Sequence, residues 1–208
     1  MGNTRKLHII TDLDGVVVNT IAEVIRYLYR TYGIISCPED FTNWCIIECV
    51  QRLAEQQNKS TETQAAISGH FESVWTTPSL YRYARAHHTI WASCYRAMEA
   101  GAIVRCLTHR PVEVEGVTQL WLQEHGLPSA TFDVKIDYLP TYCAEHADST
   151  VVFLEDNRDI IDEIDALHIL NLHTVLVARP WNKLPITSTV LRITEREVAS
   201  LLNRYLFA

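Results

Sequence analysis

Ile9-Ile10-Thr11-Asp12-Leu13-Asp14-Gly15-Val16-Val17-Val18 is the stretch on which the reading of this chain turns. An apolar run leads into two carboxylates one residue apart, and a glycine follows at once. Such a pair is poor material for structure and good material for chemistry. Both acids can serve one site if the chain curls at the strand end, which Gly15 permits.

Working outward, short apolar runs recur at 7–11, 103–107, 131–134, 151–154 and 174–177. Uninterrupted apolar runs of this length suit strands buried on both faces of a parallel sheet. Between them, Val114, Val117, Leu120 and Trp121 keep helical spacing, as do Ile160, Ile161, Ile164 and Leu167. Thr194 and Glu197 form the pattern of a capping box at the start of a last helix. The expected fold is α/β, a Rossmann-like parallel sheet flanked by helices.

Residues 20–86 break the alternation. Ile21, Val24, Ile25 and Leu28 make one helical stripe, Trp44, Ile47, Val50 and Ala54 a second, and Ile67, Phe71, Val74 and Trp75 a third. With no convincing strand in this interval, the organisation expected is a core of residues 1–19 and 87–208, with a helical cap of residues 20–86 inserted after the first strand. An insertion directly behind the acidic pair is placed to fold over it.

The chain has 208 residues, of which 48% are hydrophobic and 21% charged, so a sizeable core is expected. A formal net charge of −7 argues against a long nucleic acid as partner, because duplex binders need a basic face. The six cysteines form no CxxC pair and match no zinc module, so free and mostly buried thiols are expected. No apolar run approaches the roughly 18 residues of a membrane span, and no signal-peptide pattern opens the sequence, which leads to the expectation of a cytoplasmic protein without a membrane partner.

Four apolar runs end in reactive residues: Asp12 and Asp14 after the first, Thr108, His109 and Arg110 after the second, Lys135 after the third, Glu155 and Asp156 after the fourth. Parallel strands bring their C-terminal ends to one edge, where ligands bind in open α/β sheets. Asp12, Asp14 and Asp156 offer hard oxygen ligands suited to Mg²⁺. Thr108 and Lys135 offer donors for phosphate oxygens. Taken alone, Asp156 could simply cap the helix near Asn157 and Lys135 could be a solvated charge. The order acid pair, Thr, Lys, acid pair at successive strand ends favours chemistry.

This set, Asp12-Leu13-Asp14-Gly15, Thr108, Lys135 and Glu155-Asp156, resembles the four motifs of the haloacid dehalogenase-like (HAD) superfamily. The resemblance implies that Asp12 is a nucleophile forming an aspartyl-phosphate, and that Asp14 is the acid and base of a phosphatase rather than a dehalogenase. It further implies Thr108 and Lys135 as phosphoryl ligands and Asp156 as a Mg²⁺ ligand. His109 stands where relatives often carry a small residue, beside the phosphate, and Glu155 or Asp159 takes the supporting role of the second acid in the fourth motif.

A narrower resemblance, carried by Pro38 to Trp44, Trp75 to Arg82, Leu107 to Pro111 and Ala178 to Asn182, is to 5′(3′)-deoxyribonucleotidase-type members. It implies a small phosphorylated substrate, a nucleoside or deoxynucleoside monophosphate. Phe41, Trp44, Phe71, Trp75 and Tyr81 are then candidates to stack on a base, and Arg110 to reach the phosphate or sugar. Other readings stay open at this level. One is phosphatase activity on a polynucleotide 3′-phosphate, a sugar phosphate or another metabolite; the other is a phospho-acceptor signalling domain.

Overall fold

The structure is a computed structural model that describes residues 6–43, 45–183 and 190–206. It opens with β1 (Leu7–Thr11), all five residues of which are buried. A two-residue strand, β2 (Val18–Asn19), leads into α1 (Thr20–Tyr32), α2 (Ile46–Gln56), α3 (Thr61–Glu72), α4 (Pro78–Arg82) and a second two-residue strand, β3 (Arg85–Ala86). Thereafter helices and strands alternate through α5 (His88–Glu99), β4 (Ile103–Thr108), α6 (Glu115–Glu124), β5 (Ala130–Phe132), α7 (Lys135–Glu145), β6 (Thr150–Glu155), α8 (Arg158–Asp165) and β7 (Leu172–Val177). β8 (Leu191–Ile193) and α9 (Glu195–Leu206) close the chain.

Six strands form one parallel sheet in the order β5-β4-β1-β6-β7-β8. β1 lies inside it, with Ile9 beside Val104 of β4 and Val152 of β6. Alternation along β1 divides its side chains between two cores. Ile9 joins Val152, Ile90, Trp121 and Leu202 on one face, and Ile10 joins Phe153, Leu139 and Ile161 on the other. Each fully buried large side chain contributes roughly 1.5 to 3 kcal/mol, so a sheet covered on both sides holds its edge rigidly.

Every expected strand is present, the first with the expected ends and the other four with shifted ones. The third is shorter than 131–134: it stops at Phe132, and Lys135 is the first residue of α7 rather than a strand end. Asp133 turns the chain there, its carboxylate accepting from the Val134 amide at 2.7 Å. The strand Leu191–Ile193 was not expected. At the last helix, the Glu197 carboxylate accepts from both the amide and the hydroxyl of Thr194, at 2.7 and 2.8 Å.

The interval after β1 is helical, as its stripes imply, and has its own apolar cluster, in which Val24, Leu28, Phe41, Val50, Ile67, Phe71 and Tyr81 are fully buried. Chain entry and exit are joined by an antiparallel ribbon, Val18 opposite Ala86 and Asn19 opposite Arg85. The His87 amide extends it by donating to the Val17 carbonyl at 2.7 Å. Among the described residues, no helix is long and apolar enough to cross a membrane. All six cysteines are free, and Cys49, Cys94, Cys106 and Cys143 are buried.

Candidate functional site

The curl after β1 brings the acidic pair to the sheet edge. Gly15 adopts φ +75°, and the Leu13 carbonyl accepts from the amides of Val16, Val17 and Val18, closing a tight loop beyond Asp14. A side chain at position 15 is excluded twice: the backbone is left-handed, and a Cβ would lie 2.0 Å from Asp156 Oδ2. Glycine therefore lets the ends of β1 and β6 approach each other.

Lys135 stands between them. Its Nζ lies 2.7 Å from Asp12 Oδ1 and donates to Glu155 Oε2 at 2.6 Å, all three groups being buried. The other Glu155 oxygen accepts from the amides of Asp156 and Asn157, at 3.0 and 2.9 Å. One oxygen each from Asp12, Glu155 and Asp156 lies within 4.8 Å of the others. Asp156 is not the cap of α8, since the Asn157 side chain accepts from the Asp159 amide instead. Asp156 Oδ2 accepts from the indole N–H of Trp181 at 2.8 Å, while its Oδ1 is buried with no hydrogen-bond partner.

An unpartnered carboxylate oxygen beside two further buried carboxylates is expensive unless something positive meets it. Burial, then the Glu155 charge, pushes the Asp12 carboxyl up to about 7 against the opposing pull of Lys135. The same two causes raise Asp156 well above the usual carboxylate range, with Asp12 adding to them. Lys135 moves upward despite burial, because Asp12 and Glu155 hold its proton. A hard divalent cation fits this donor set by chemistry: oxygen ligands, excess negative charge and one carboxylate oxygen, Asp156 Oδ1, without a partner.

Asp14 sits apart from that group. Its carboxylate takes a bidentate fork from Arg110, Nε to Oδ2 and Nη2 to Oδ1, both at 2.8 Å, and a further hydrogen bond from the Thr20 hydroxyl. Burial alone would raise its pKa, yet the Arg110 charge and hydrogen bonds hold it below the usual carboxylate value. Arg110 Nη1 donates to Thr118 at 3.0 Å, and the guanidinium lies 4.1 Å from the centre of the Tyr81 ring. The Tyr81 hydroxyl donates in turn to the Trp75 carbonyl at 2.8 Å. Arg110 thus runs from an acid of the motif loop to the helical insert.

Thr108 is buried, and its hydroxyl oxygen accepts from the Arg110 amide at 3.2 Å. His109 Nε2 accepts from the Lys135 amide at 2.9 Å, capping the start of α7. Burial and the Lys135 charge lower the His109 pKa, in keeping with a neutral acceptor ring. Asp159 lies exposed in the first turn of α8.

A cleft of about 640 Å³ opens over these groups, lined on the sheet side by Asp12, Asp14, Thr108, Lys135 and Glu155, and on the insert side by Ile46, Ile47 and Trp75. Of the five aromatic candidates, Trp75 faces the cleft part-exposed. Tyr81 also borders it, carrying Arg110 on its ring. Phe41 and Phe71 fill the core of the insert and border no part of the cleft. Trp44 lies outside the described residues.

Sequence reasoning missed the role of the segment after β7. Arg179, Trp181 and Asn182 bond to the two motif loops, whereas in the sequence the segment Ala178 to Asn182 stood out only as part of a resemblance, with no role attached.

No protein-family model matches the sequence, and no curated protein matches it at a significant level. Solved structures do. A HAD family hydrolase from Deinococcus radiodurans R1, with bound phosphate and sodium, superposes with a TM-score of 0.56 at 14% identity, covering 98% of each chain. A haloacid dehalogenase-like family hydrolase from Streptococcus pneumoniae gives 0.56 at 11%, over 94% of this chain and 98% of its own. The Protein Tyrosine Kinase A of Mycobacterium tuberculosis gives 0.52 at 15%, over 97% and 99%. The names attached to this architecture differ in chemistry, so it is the side chains that must argue the reaction. In architecture, this chain has the fold of the haloacid dehalogenase-like hydrolases.

Proposed function

We propose that the protein is a Mg²⁺-dependent phosphomonoesterase that hydrolyses nucleoside or deoxynucleoside monophosphates through an aspartyl-phosphate. The observation that carries this reading is the buried constellation at the sheet edge. Asp12 is held by Lys135 and grouped with Glu155 and Asp156, and one Asp156 oxygen is left without a partner.

Asp12 and Asp156 would hold the metal, which when bound neutralises charge on the phosphoryl oxygens and on the carboxylates around them, while Glu155, its oxygens taken by Lys135 and two amides, supports them. Lys135 and Thr108 bind the phosphoryl group, and Lys135 at the same time orients the Asp12 oxygen. That carboxylate forms a bond to phosphorus as the bond to the leaving oxygen breaks, and Asp14 delivers a proton to the leaving oxygen. Water then attacks the aspartyl-phosphate, Asp14 takes a proton from it, and Asp12 is released with inorganic phosphate. Pairing with Arg110 suits Asp14 to the second step, since it favours the form that accepts a proton. Because that pairing disfavours a stored proton, Asp14 takes one up again from solvent before it serves the next leaving oxygen.

A nucleoside is favoured as leaving group by the cleft wall. Trp75 offers a ring face and Ile46 and Ile47 an apolar surface, whereas Arg110 is paired with Asp14. Residues 20–86 act in this reading as the substrate-selecting cap.

The test is steady-state hydrolysis of p-nitrophenyl phosphate and of a panel of nucleotides and sugar phosphates, with Mg²⁺ and with chelator. Activity is expected to require Mg²⁺, to prefer nucleoside monophosphates, and to fall on the order of a thousandfold or more in Asp12→Asn. Intact turnover in that variant would remove Asp12 as nucleophile. Equal rates across the panel would leave a phosphatase without the nucleotide preference.

A further inference from the structure

The segment 178–182 leaves β7 at the same sheet edge and contributes no group to the reaction described above, yet three of its side chains reach into both motif loops. Arg179 donates through Nε to the Gly15 carbonyl and through Nη2, at 3.4 Å, to the Val16 carbonyl, while Nη1 is 2.5 Å from Glu195 of α9. Asn182 Nδ2 donates to the carbonyls of Asp156 and Val177, each at 2.8 Å, and its Oδ1 accepts from the Arg179 amide at 2.9 Å. Between them Trp181 donates its indole N–H to Asp156 Oδ2 at 2.8 Å. Its ring also closes on Gly15, where an added Cβ would come within 3.1 Å of it.

One residue thus touches the loop after β1 and the carboxylate after β6. Asp156 is fully buried, and its two oxygens differ in what they have to do. Oδ2 is engaged by the indole; Oδ1, buried and unpartnered, shares its neighbourhood with the carboxylates of Asp12 and Glu155. A carboxylate with a free χ2 could present either oxygen. The N–H of Trp181 removes that freedom, because turning the group over would require breaking a buried hydrogen bond.

We propose that Trp181, braced by Arg179 and Asn182, is the positioning residue of the cation site: its indole N–H fixes one oxygen of Asp156 so that the other is presented to the metal. The inference rests on the metal reading above. A donor behind a ligand orients it and tunes its affinity, and loss of such a partner typically costs about 10- to 100-fold in metal binding.

The experiment is Mg²⁺ titration of the full chain by calorimetry, comparing native protein with Trp181→Phe and Trp181→His, together with thermal melts in chelator. Trp181→Phe is expected to bind Mg²⁺ about 10-fold or more weakly while melting near the native temperature in chelator, and Trp181→His, which keeps a ring N–H, to recover part of the loss. Tb³⁺ at the same site should glow when tryptophan is excited, lose part of that emission in Trp181→Phe, and be displaced by Mg²⁺. Native-like Mg²⁺ affinity in Trp181→Phe would overturn the proposal, and so would equal affinity of the Phe and His variants. If Trp181→Phe fails to fold, Trp181→Leu, which also lacks the N–H, takes its place on the same criterion: native-like Mg²⁺ affinity in that variant overturns the proposal. Absence of Mg²⁺ binding by native protein would instead bring down the metal reading beneath it, and the proposal with it.

Discussion

His8 and Asp12 stand four residues apart on the course of β1, both nearly inaccessible, and they are treated in opposite ways. The His8 ring shares a 2.7 Å hydrogen bond with the Tyr142 hydroxyl and packs 4.5 Å from the His146 ring. Burial, then the neighbouring charges of His146, Lys6 and Arg105, lower its pKa to about 4, so it is neutral at neutral pH. Around Asp12, four carboxylates meet two cations, and one carboxylate oxygen has nothing to bond to. At the start of the strand, polar groups satisfy one another and merely hold the fold. At its end they oppose folding, which is the mark of a site arranged for a ligand.

The largest break in this contrast is expected from removing a cation at the reactive end. Arg110→Ala leaves Asp14 buried without its fork and strips the Tyr81 ring, so stability in urea unfolding should fall by about 3 kcal/mol and turnover with it. An unchanged midpoint would mean that the pair carries no structural weight. Gly15→Ala should cost about 1 to 2 kcal/mol from the left-handed backbone alone. The new Cβ would also displace Asp156, so Mg²⁺-dependent activity should fall further than stability does.

Smaller and of opposite sign is Asp156→Asn. Removing a buried, poorly compensated charge should raise chelator-treated stability by about 1 kcal/mol while abolishing the response to Mg²⁺.

The pH dependence separates the two ends by sign. The native pKa of Asp12, about 7, lies above its ordinary 3.8, so the native state binds the proton more tightly. Its penalty is full above pH 7 and relieved as pH falls toward 4. His8 works the other way: its native pKa of about 4 lies below 6.5, so stability is lost as pH falls from 6.5 toward 4. Chelator-treated melts of Asp12→Asn and His8→Gln should therefore differ from the native curve in opposite directions across this window. Parallel curves would contradict the contrast.

The fold was legible because five apolar runs carry enough buried area to dominate their neighbourhoods, and because the reactive residues all follow those runs. What escaped has physical reasons. Leu191-Arg192-Ile193 and the two-residue strands β2 and β3 are too short to show any period. Pro140 inside α7 masks a helix that begins at Lys135.

At the site, residue types along the strand ends were readable but pairings were not. Arg110 could be named as a binder of oxygens; that its fork closes on Asp14, ninety-six positions earlier, depends on the sheet order. Helical spacing likewise marks aromatic positions without saying which face meets the core. Phe41 and Phe71 turn inward while Trp75 meets the cleft.

The small ribbon of Val18–Asn19 against Arg85–Ala86 has an architectural consequence. Paired positions in an antiparallel ladder stand only about 4.5 to 5.5 Å apart, so the two chain crossings meet at a single point. A turn of a few residues could join Asn19 to Arg85, and the register of the six-stranded sheet would not sense what had been spliced between them. The helices that face the cleft are in this sense a fitting attached at one seam: a different roof would leave Asp12, Glu155 and Lys135 with their mutual bonds, while Asp14, bonded to Thr20 of the insert, would register the exchange.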